Sequence, residues 1–246
     1  MRILRLTNSD DMNEAIPAAL RAPALAERVI AERLGEPVET LARVIWPDPE
    51  LPEIVESWLD RYQPDAVFMR TASYWVTYES VPLRLQRRAY RGTGWLARLG
   101  GAAGANSRLA STAPFRVARR AAVRTIGGDT YFTPEAAASV VAATLRRIVV
   151  RESLVTVVRG PFNPHNSSGT KSGFARSDAR NARFDSLVAS ICRELHVPYL
   201  SVRHLAEAGM QGGDEVHLNR HAQRMIAEIE GAAIADALLA ARVAGH

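Results

Sequence analysis

The sequence has few of the features that cross-link a protein or anchor it in a membrane. Cys192 is the only cysteine among 246 residues, which excludes an intramolecular disulfide bond. Its neighbours are mainly apolar, so we expect a buried and unreactive thiol. No stretch approaches the roughly 20 apolar residues of a membrane-spanning helix, and the chain does not begin with a basic segment followed by an apolar run. These absences predict a cytoplasmic protein without a transmembrane segment.

Lysine is almost absent as well. Lys171 is the only lysine, so arginine carries nearly all of the positive charge. The formal net charge of +5 raises the question of a nucleic-acid partner. Arginine occurs here together with abundant alanine, which indicates a compositional bias rather than a phosphate-binding surface. We therefore predict no nucleic-acid partner, and the sequence leaves the oligomeric state open.

The hydrophobic residues, 47% of the chain, suffice for one sizeable core, and we expect a single domain over residues 1–246. Short β-rich runs alternate with helical patterns. The predicted strands are residues 3–6, 38–45, 66–71, 154–159 and 197–202. The predicted helices are residues 24–34, 51–62, 178–195 and 219–239, with a further helix that begins at Thr133. This alternation predicts βαβ units, an α/β fold and a parallel sheet that binds ligands at the carboxyl ends of its strands.

Residues 80–128 interrupt the alternation, because they are too many for an ordinary connection. The segment contains ten arginines and no acidic residue. Its pattern predicts two amphipathic helices, 82–99 and 114–126, joined by the glycine-rich run GGAAGANS. We expect a basic helical cap that limits access to the strand ends and meets an anionic partner: an acidic or carrier-linked substrate, a carrier-protein helix or a membrane surface. A solvated insertion whose charge follows genome composition is the alternative.

An aspartate and a histidine lie close together in the sequence near the carboxyl terminus. Asp214 precedes His217 by three residues, and Asn219 is a good N-cap for the helix that follows. A tight turn would bring the carboxylate to the ring, where it fixes the tautomer and stabilises the imidazolium, as the acid of a catalytic triad does. Taken alone, this spacing more often belongs to a solvated turn with a surface histidine.

Three segments of the chain together resemble a known family, the SGNH hydrolases or GDSL-type esterases and lipases. They are RILRLTNSDD at 2–11, PDAVFMRTASYW at 64–75 and GDEVHLN at 213–219. The resemblance covers the chain except for 80–128 and implies a three-layer α/β/α fold with a five-stranded parallel sheet. It also implies that Ser9, directly after the first strand, is a nucleophile with His217 as its base and Asp214 as the orienting acid.

The sequence departs from the family pattern at the oxyanion hole. The family uses three donors: the N–H of the serine, the N–H of a glycine after the second strand and an asparagine side chain after the third. Here the second strand leads into Trp46 and Pro47 without a glycine, and Tyr74 holds the asparagine position. Losing one such donor typically costs about 10²–10³ in rate.

Other polar and aromatic residues could complete the site. Ser73 and Tyr74 offer hydroxyl donors, and Asn163 follows the fourth strand, although a turn role before Pro164 is the alternative for it. Tyr74 and Trp75 could instead pack beneath the insertion. If both tryptophans line the site, Trp46 and Trp75 form an aromatic wall for a sugar ring or an acyl chain.

The sequence therefore predicts a serine esterase of the SGNH type that hydrolyses or transfers the acyl group of a small-molecule ester. The substrates typical of the family suggest a short acyl group on a sugar or metabolite. A catalytically inactive binding or regulatory protein with the same fold is the alternative, because the oxyanion positions are altered. We predict no cofactor and no metal, since His217 and His221 lack the intervening glutamate of a zincin site.

Overall fold

A computed structural model describes residues 1–87, 112–205, 210 and 217–245. Its five strands are all parallel and lie in the order β2-β1-β3-β4-β5. They are β1 (Arg2–Thr7), β2 (Glu39–Val44), β3 (Ala66–Arg70), β4 (Val155–Arg159) and β5 (Tyr199–Leu200). The predicted α/β fold with a five-stranded parallel sheet is confirmed.

Eight α-helices are present in the described residues. They are α1 (Ala22–Leu34), α2 (Leu51–Tyr62), α3 (Tyr74–Thr77), α4 (Val81–Arg87), α5 (Ala113–Ile126), α6 (Pro134–Val149), α7 (Lys171–Glu194) and α8 (Arg220–Val243). Short 3-10 turns cover Ser9–Met12, Ala18–Leu20 and Arg203–Leu205. None of the described helices is both long enough and apolar enough to cross a membrane.

Local capping explains where several helices begin. Thr133 accepts a hydrogen bond from the Ala136 N–H at the start of α6, and Asn219 accepts one from the Ala222 N–H at the start of α8. Helix α7 begins at Lys171, seven residues before the predicted start at 178, because the Thr170 side chain caps it. The part of this long helix before residue 178 is buried through Gly173 and Ser177, which give no apolar signal.

The insertion is described in part. Helix α5 agrees with the predicted helix 114–126, while α4 covers the beginning of the predicted helix 82–99. Residues 88–111, which include the glycine-rich run, lie outside the described residues. An antiparallel bridge between Ser80 and Asp129 brings the two ends of the insertion together.

Each face of the sheet packs against its own set of helices. Alternate residues of β1 point to opposite faces, so Leu4 and Leu6 pack with α2, α6 and α7, while Ile3 packs with α1 and α8. The three central strands, β1, β3 and β4, are buried on both faces, as is typical of a parallel sheet. The result is the three-layer arrangement that the family resemblance implied.

The α8 face changes from apolar to charged towards the carboxyl ends of the strands. Arg5, Arg70 and Arg159 extend from β1, β3 and β4, and each is at most 1% exposed. Their partners are Asp11, in the turn after β1, and Glu230 on α8, and both are buried. We call these five residues the buried ion cluster.

The contacts within the buried ion cluster are short and shared. Arg5 donates from Nε to Asp11 (2.6 Å) and from Nη2 to Glu230 (2.5 Å). Arg159 donates from Nε to Glu230 (2.9 Å), and Arg70 donates to Asp11. Burial alone would raise the pKa of Asp11, but the charges of Arg5 and Arg70 hold it well below its usual range. Burial and the charge of Arg70 lower the pKa of Arg159 to about 10, so all three arginines stay charged at neutral pH.

We expect Glu230→Gln to destabilise the protein strongly, because it leaves Arg5 and Arg159 buried without their shared counter-ion. Removing one partner of a buried ion pair typically costs about 3–5 kcal/mol. Urea unfolding followed by circular dichroism measures the loss. Glu228→Gln is the matched control on the same helix, since Glu228 is exposed and pairs only with Arg224 among the described residues; it should change the free energy of unfolding by less than about 0.5 kcal/mol. Equal stability of the two variants would contradict this account.

Candidate active site

Ser9 lies at the carboxyl end of β1, on the first residue of the Ser9–Met12 turn. The turn forms because the Asn8 side chain accepts a hydrogen bond from the Asp10 N–H (3.0 Å). Ser9 is exposed at this edge of the sheet, whereas Asp11, two residues further along the turn, is buried in the ion cluster. The small polar residues after β1 therefore place one side chain in solvent and another in the core.

His217 reaches Ser9 from the opposite end of the chain. Its Nε2 lies 3.1 Å from the Ser9 Oγ, although the two residues are 208 positions apart. A histidine nitrogen at this distance can accept the hydroxyl proton, which is the arrangement of an activated serine nucleophile. The structure thus brings two of the three predicted triad residues together. Asp214, the third, lies outside the described residues.

The two residues that follow His217 are held by backbone hydrogen bonds. The Leu218 N–H donates to Asp10 Oδ1 (3.1 Å), and the Asn219 N–H donates to the Met210 carbonyl (2.9 Å). Leu218 itself is buried in a small apolar cluster beneath the loop. The backbone between His217 and α8 is therefore fixed, and the His217 side chain is half-buried beside Ser9.

Comparison with solved structures identifies the fold. A lipase/acylhydrolase from Enterococcus faecalis is 12% identical with a TM-score of 0.56, over 96% of this chain and 95% of that one. A protein from Desulfitobacterium hafniense DCB-2, described as lipolytic and of the G-D-S-L family, is 8% identical with a TM-score of 0.53, over 94% and 98%. The psychrotrophic esterase EstA from Pseudoalteromonas sp. is 11% identical with a TM-score of 0.53, over 93% of each chain.

The chain has the SGNH hydrolase fold. Likeness at these identities is a likeness of fold, and it extends over nearly the whole chain. No family profile matches the sequence, and no curated protein is similar to it in sequence. The protein is thus a divergent example of the fold, and its chemistry has to be argued from its own residues.

The residues that the family resemblance places at the oxyanion hole lie in different environments. Ser73 is 8% exposed, and its hydroxyl donates to the Asn163 carbonyl, so it ties the loop after β3 to the loop after β4. Tyr74 is half-buried at the end of β3. Burial raises the pKa of its phenol well above the usual value, and the nearby hydroxyls of Tyr78 and Tyr131 raise it further. The Tyr74 hydroxyl therefore stays protonated across the physiological pH range, and it shares a hydrogen bond with Tyr131.

Asn163 lies towards the β5 side of the same edge. It lines an open cavity of about 440 Å³. The other lining residues are Pro164, Phe174, Asp178, Asp185, Ser201, Arg203 and His204. Most of them are polar, and the Asp178–Arg203 ion pair (2.8 Å) lies among them. Asn163 thus faces a largely polar cavity on the β5 side of the edge, on a surface suited to a hydrophilic group.

Four aromatic residues form a wall along the carboxyl ends of β2 and β3, and we call Trp46, Tyr74, Tyr78 and Tyr131 the aromatic wall. The centroid of the Trp46 ring lies 5.9 Å from that of Tyr74 and 5.4 Å from that of Tyr131, and both contacts are edge-on. Tyr74 stacks on Tyr78 at 4.5 Å. Trp46 is 38% exposed, so part of the wall faces solvent.

Trp75 does not belong to this wall, contrary to the sequence prediction. It is 1% exposed and packs against Phe184 of α7, with ring centroids 6.1 Å apart. Because a helix has about 3.6 residues per turn, Tyr74 and Trp75 point in different directions from α3. Tyr78, four residues after Tyr74, carried a helical-spacing signal that the sequence analysis did not use.

The described part of the insertion lies against this region. The Arg119 guanidinium of α5 is 5.5 Å from the centroid of the Tyr78 ring. Arg124 donates from Nε to the Ser168 carbonyl in the loop after β4 (2.7 Å). Helix α5 is therefore attached to the segments that follow β3 and β4, which is where a cap would have to lie.

His165 is buried, and His221 is exposed to solvent. His165 is 7% exposed and meets the Tyr74 ring edge-on at 5.3 Å. His221 is exposed on the first turn of α8. Across the ranges that the structure describes, no three His, Cys, Asp or Glu side chains are grouped in a way that could hold a metal ion.

Proposed function

We propose that the protein is a serine esterase that hydrolyses, or transfers, the acyl group of a small carboxylic ester. The single observation that supports this most strongly is the 3.1 Å contact between Ser9 Oγ and His217 Nε2 at the carboxyl end of β1. Ligands of open parallel sheets bind at this edge. Several solved structures with the same fold are named as esterases or lipases.

In the proposed reaction, Ser9 Oγ attacks the ester carbonyl carbon while its proton passes to His217 Nε2. The tetrahedral intermediate collapses, the C–O bond to the alcohol breaks, and the alcohol leaves with the proton from His217. Water, activated by the same histidine, then attacks the acyl-serine and releases the acid; another alcohol in place of water gives acyl transfer. Asp214 is proposed to orient His217 and to stabilise its charged form.

The proposed oxyanion hole differs from the family pattern. The first N–H groups of a helical turn have no partner within the turn, so the Ser9 N–H can serve as one donor. We assign the second donor to the Tyr74 hydroxyl, which would take the place of the usual asparagine by turning from its hydrogen bond with Tyr131 to the substrate. Ser73 is left out, because its hydroxyl already donates to the Asn163 carbonyl. Asn163 is assigned to the alcohol side of the substrate, where the polar cavity would accept a sugar or another hydroxylated group.

The cap role of 80–128 stays part of this proposal. Helix α5 brings Arg119 to the aromatic wall, and a guanidinium beside aromatic rings suits an acyl or alcohol group that carries negative charge.

An inactive SGNH-fold binding protein is the second candidate. It is favoured by the same observation that makes the oxyanion hole unusual, namely Tyr74 in the asparagine position with no glycine after β2.

We expect Ser9→Ala to remove esterase activity, because no other group would form the acyl intermediate. Hydrolysis of short p-nitrophenyl esters should fall by at least about 10³-fold, and a fluorophosphonate should label the wild type at Ser9 but not the variant. Ser57→Ala is the control, since Ser57 is exposed on α2 and its hydroxyl bonds only the Ile54 carbonyl among the described contacts. Wild-type protein that neither turns over any ester nor reacts with the fluorophosphonate would favour the binding protein instead.

We expect Asp214→Asn to lower kcat by at least about 10²-fold while leaving the protein folded, since the equivalent change in a serine protease costs about 10⁴. An imidazole must be neutral to act as a base, so kcat/KM of the wild type should fall on the acid side of neutrality. Steady-state kinetics between pH 5 and 9, at about one-unit steps, tests both statements. Asp236→Asn, an exposed aspartate that pairs with Arg33, is the control and should behave like the wild type. Normal activity of Asp214→Asn would remove Asp214 from the site.

We expect Trp46→Ala to raise KM for acetylated sugars by roughly 3–10-fold, because an aromatic face that stacks on the ring is lost. Ethyl acetate, which has no ring to stack, should be hydrolysed with unchanged KM. Trp46→Phe keeps an aromatic face and should retain most of the wild-type affinity. A uniform change of KM for both substrates would show that Trp46 does not contact the alcohol group.

A further inference from the structure

Asp10 joins the turn that carries Ser9 to the loop that carries His217. Its Oδ1 accepts a hydrogen bond from the Leu218 N–H (3.1 Å), and Leu218 directly follows His217. Its Oδ2 is 3.2 Å from Arg70 Nη2 in the buried ion cluster. The Asp10 carbonyl also accepts from Gln223 Nε2 on α8 (2.7 Å). Three separate parts of the fold thus meet at the residue next to Ser9.

The charge of the ion cluster favours a carboxylate at this position. Arg5, Arg70 and Arg159 bring three positive charges, while Asp11 and Glu230 supply two negative ones. Asp10 adds a third negative charge at the solvent side of the cluster, where its side chain is 19% exposed. A buried surplus of positive charge is costly, so Asp10 is held against Arg70 as a charged group.

Both oxygens of Asp10 are needed as acceptors. Oδ1 receives a backbone N–H and Oδ2 receives a guanidinium N–H, and each carboxylate oxygen can accept. An asparagine offers one acceptor and one donor, so it can satisfy either Leu218 or Arg70 but not both. The site therefore distinguishes aspartate from its closest isostere.

We propose that Asp10 is a positioning residue that fixes the distance between Ser9 and His217. Because Ser9 and Asp10 are adjacent, the Leu218–Asp10 hydrogen bond sets where the backbone of His217 lies relative to the Ser9 hydroxyl. Arg70 keeps the Asp10 carboxylate from rotating away and is itself held by Asp11. The catalytic consequence of this inference rests on the proposed esterase function, whereas its structural part does not.

The test compares Asp10→Asn and Asp10→Ala with the control Glu14→Gln, which removes one exposed charge near the same turn. Hydrogen exchange of the Leu218 amide, followed by NMR, should be at least about 10-fold faster in Asp10→Ala than in the wild type. With p-nitrophenyl acetate, kcat should fall about 10–100-fold in both Asp10 variants while KM stays within about 2-fold, as expected for misplaced reacting groups. Glu14→Gln should match the wild type in both measurements.

If Asp10→Asn and Asp10→Ala do not fold, Asp10→Glu replaces them, because it keeps the charge and shifts the acceptor by one methylene. It should lower kcat in the same way without a large loss of stability. Wild-type Leu218 protection together with wild-type kcat in folded Asp10 variants would overturn the proposal, and so would a rise in KM at unchanged kcat. If the wild type shows no Ser9-dependent turnover, the esterase proposal fails, while exchange of the Leu218 amide still decides whether Asp10 holds the loop.

Discussion

Three arginines on neighbouring parallel strands impose the strongest constraint on this molecule. Arg5, Arg70 and Arg159 are buried, and removing an ion from water costs several kcal/mol unless it is closely paired. The pairing comes from Asp11 and Glu230, which belong to the turn after β1 and to α8. Both elements of the candidate active site are consequently positioned by charge pairing as well as by apolar packing.

The cluster also explains how the α8 face is organised along the strands. Near the amino ends, Ile3 and Ala66 pack with α1 and α8 as an ordinary apolar core. Phe68 lies at the transition, where the Arg5 guanidinium is 4.8 Å from the centroid of its ring. Beyond it the face is charged, and Asp10 carries that charge to the surface beside Ser9. A charged network of this kind has fewer acceptable arrangements than an apolar contact, because each group needs a partner in a set direction.

The candidate site combines a known fold with side chains that depart from the family pattern. The fold places Ser9 at the end of β1 and His217 just before α8, and the 3.1 Å contact results from that topology. The groups around them are Tyr74, where the resemblance expects an asparagine, Trp46 after β2, and the arginine-rich helix α5. Since function depends on the residues of a site more than on its fold, these differences matter most for substrate choice.

The sequence by itself determined the order of strands and helices, the parallel sheet and the edge where functional residues would gather, because hydrophobic period and helix caps are local signals. It also placed Ser9 and His217 in the segments that meet, through the resemblance to a family. It could not assign Trp75, since the direction of a side chain on a one-turn helix depends on what packs around it, and here that is Phe184. The buried ion cluster was hidden for the same reason: Arg5, Arg70 and Arg159 look like ordinary charged residues within apolar strands. Only the tertiary structure, by pairing strands in register and laying α8 across them, decided that these charges face each other and that Asp10 links them to the site.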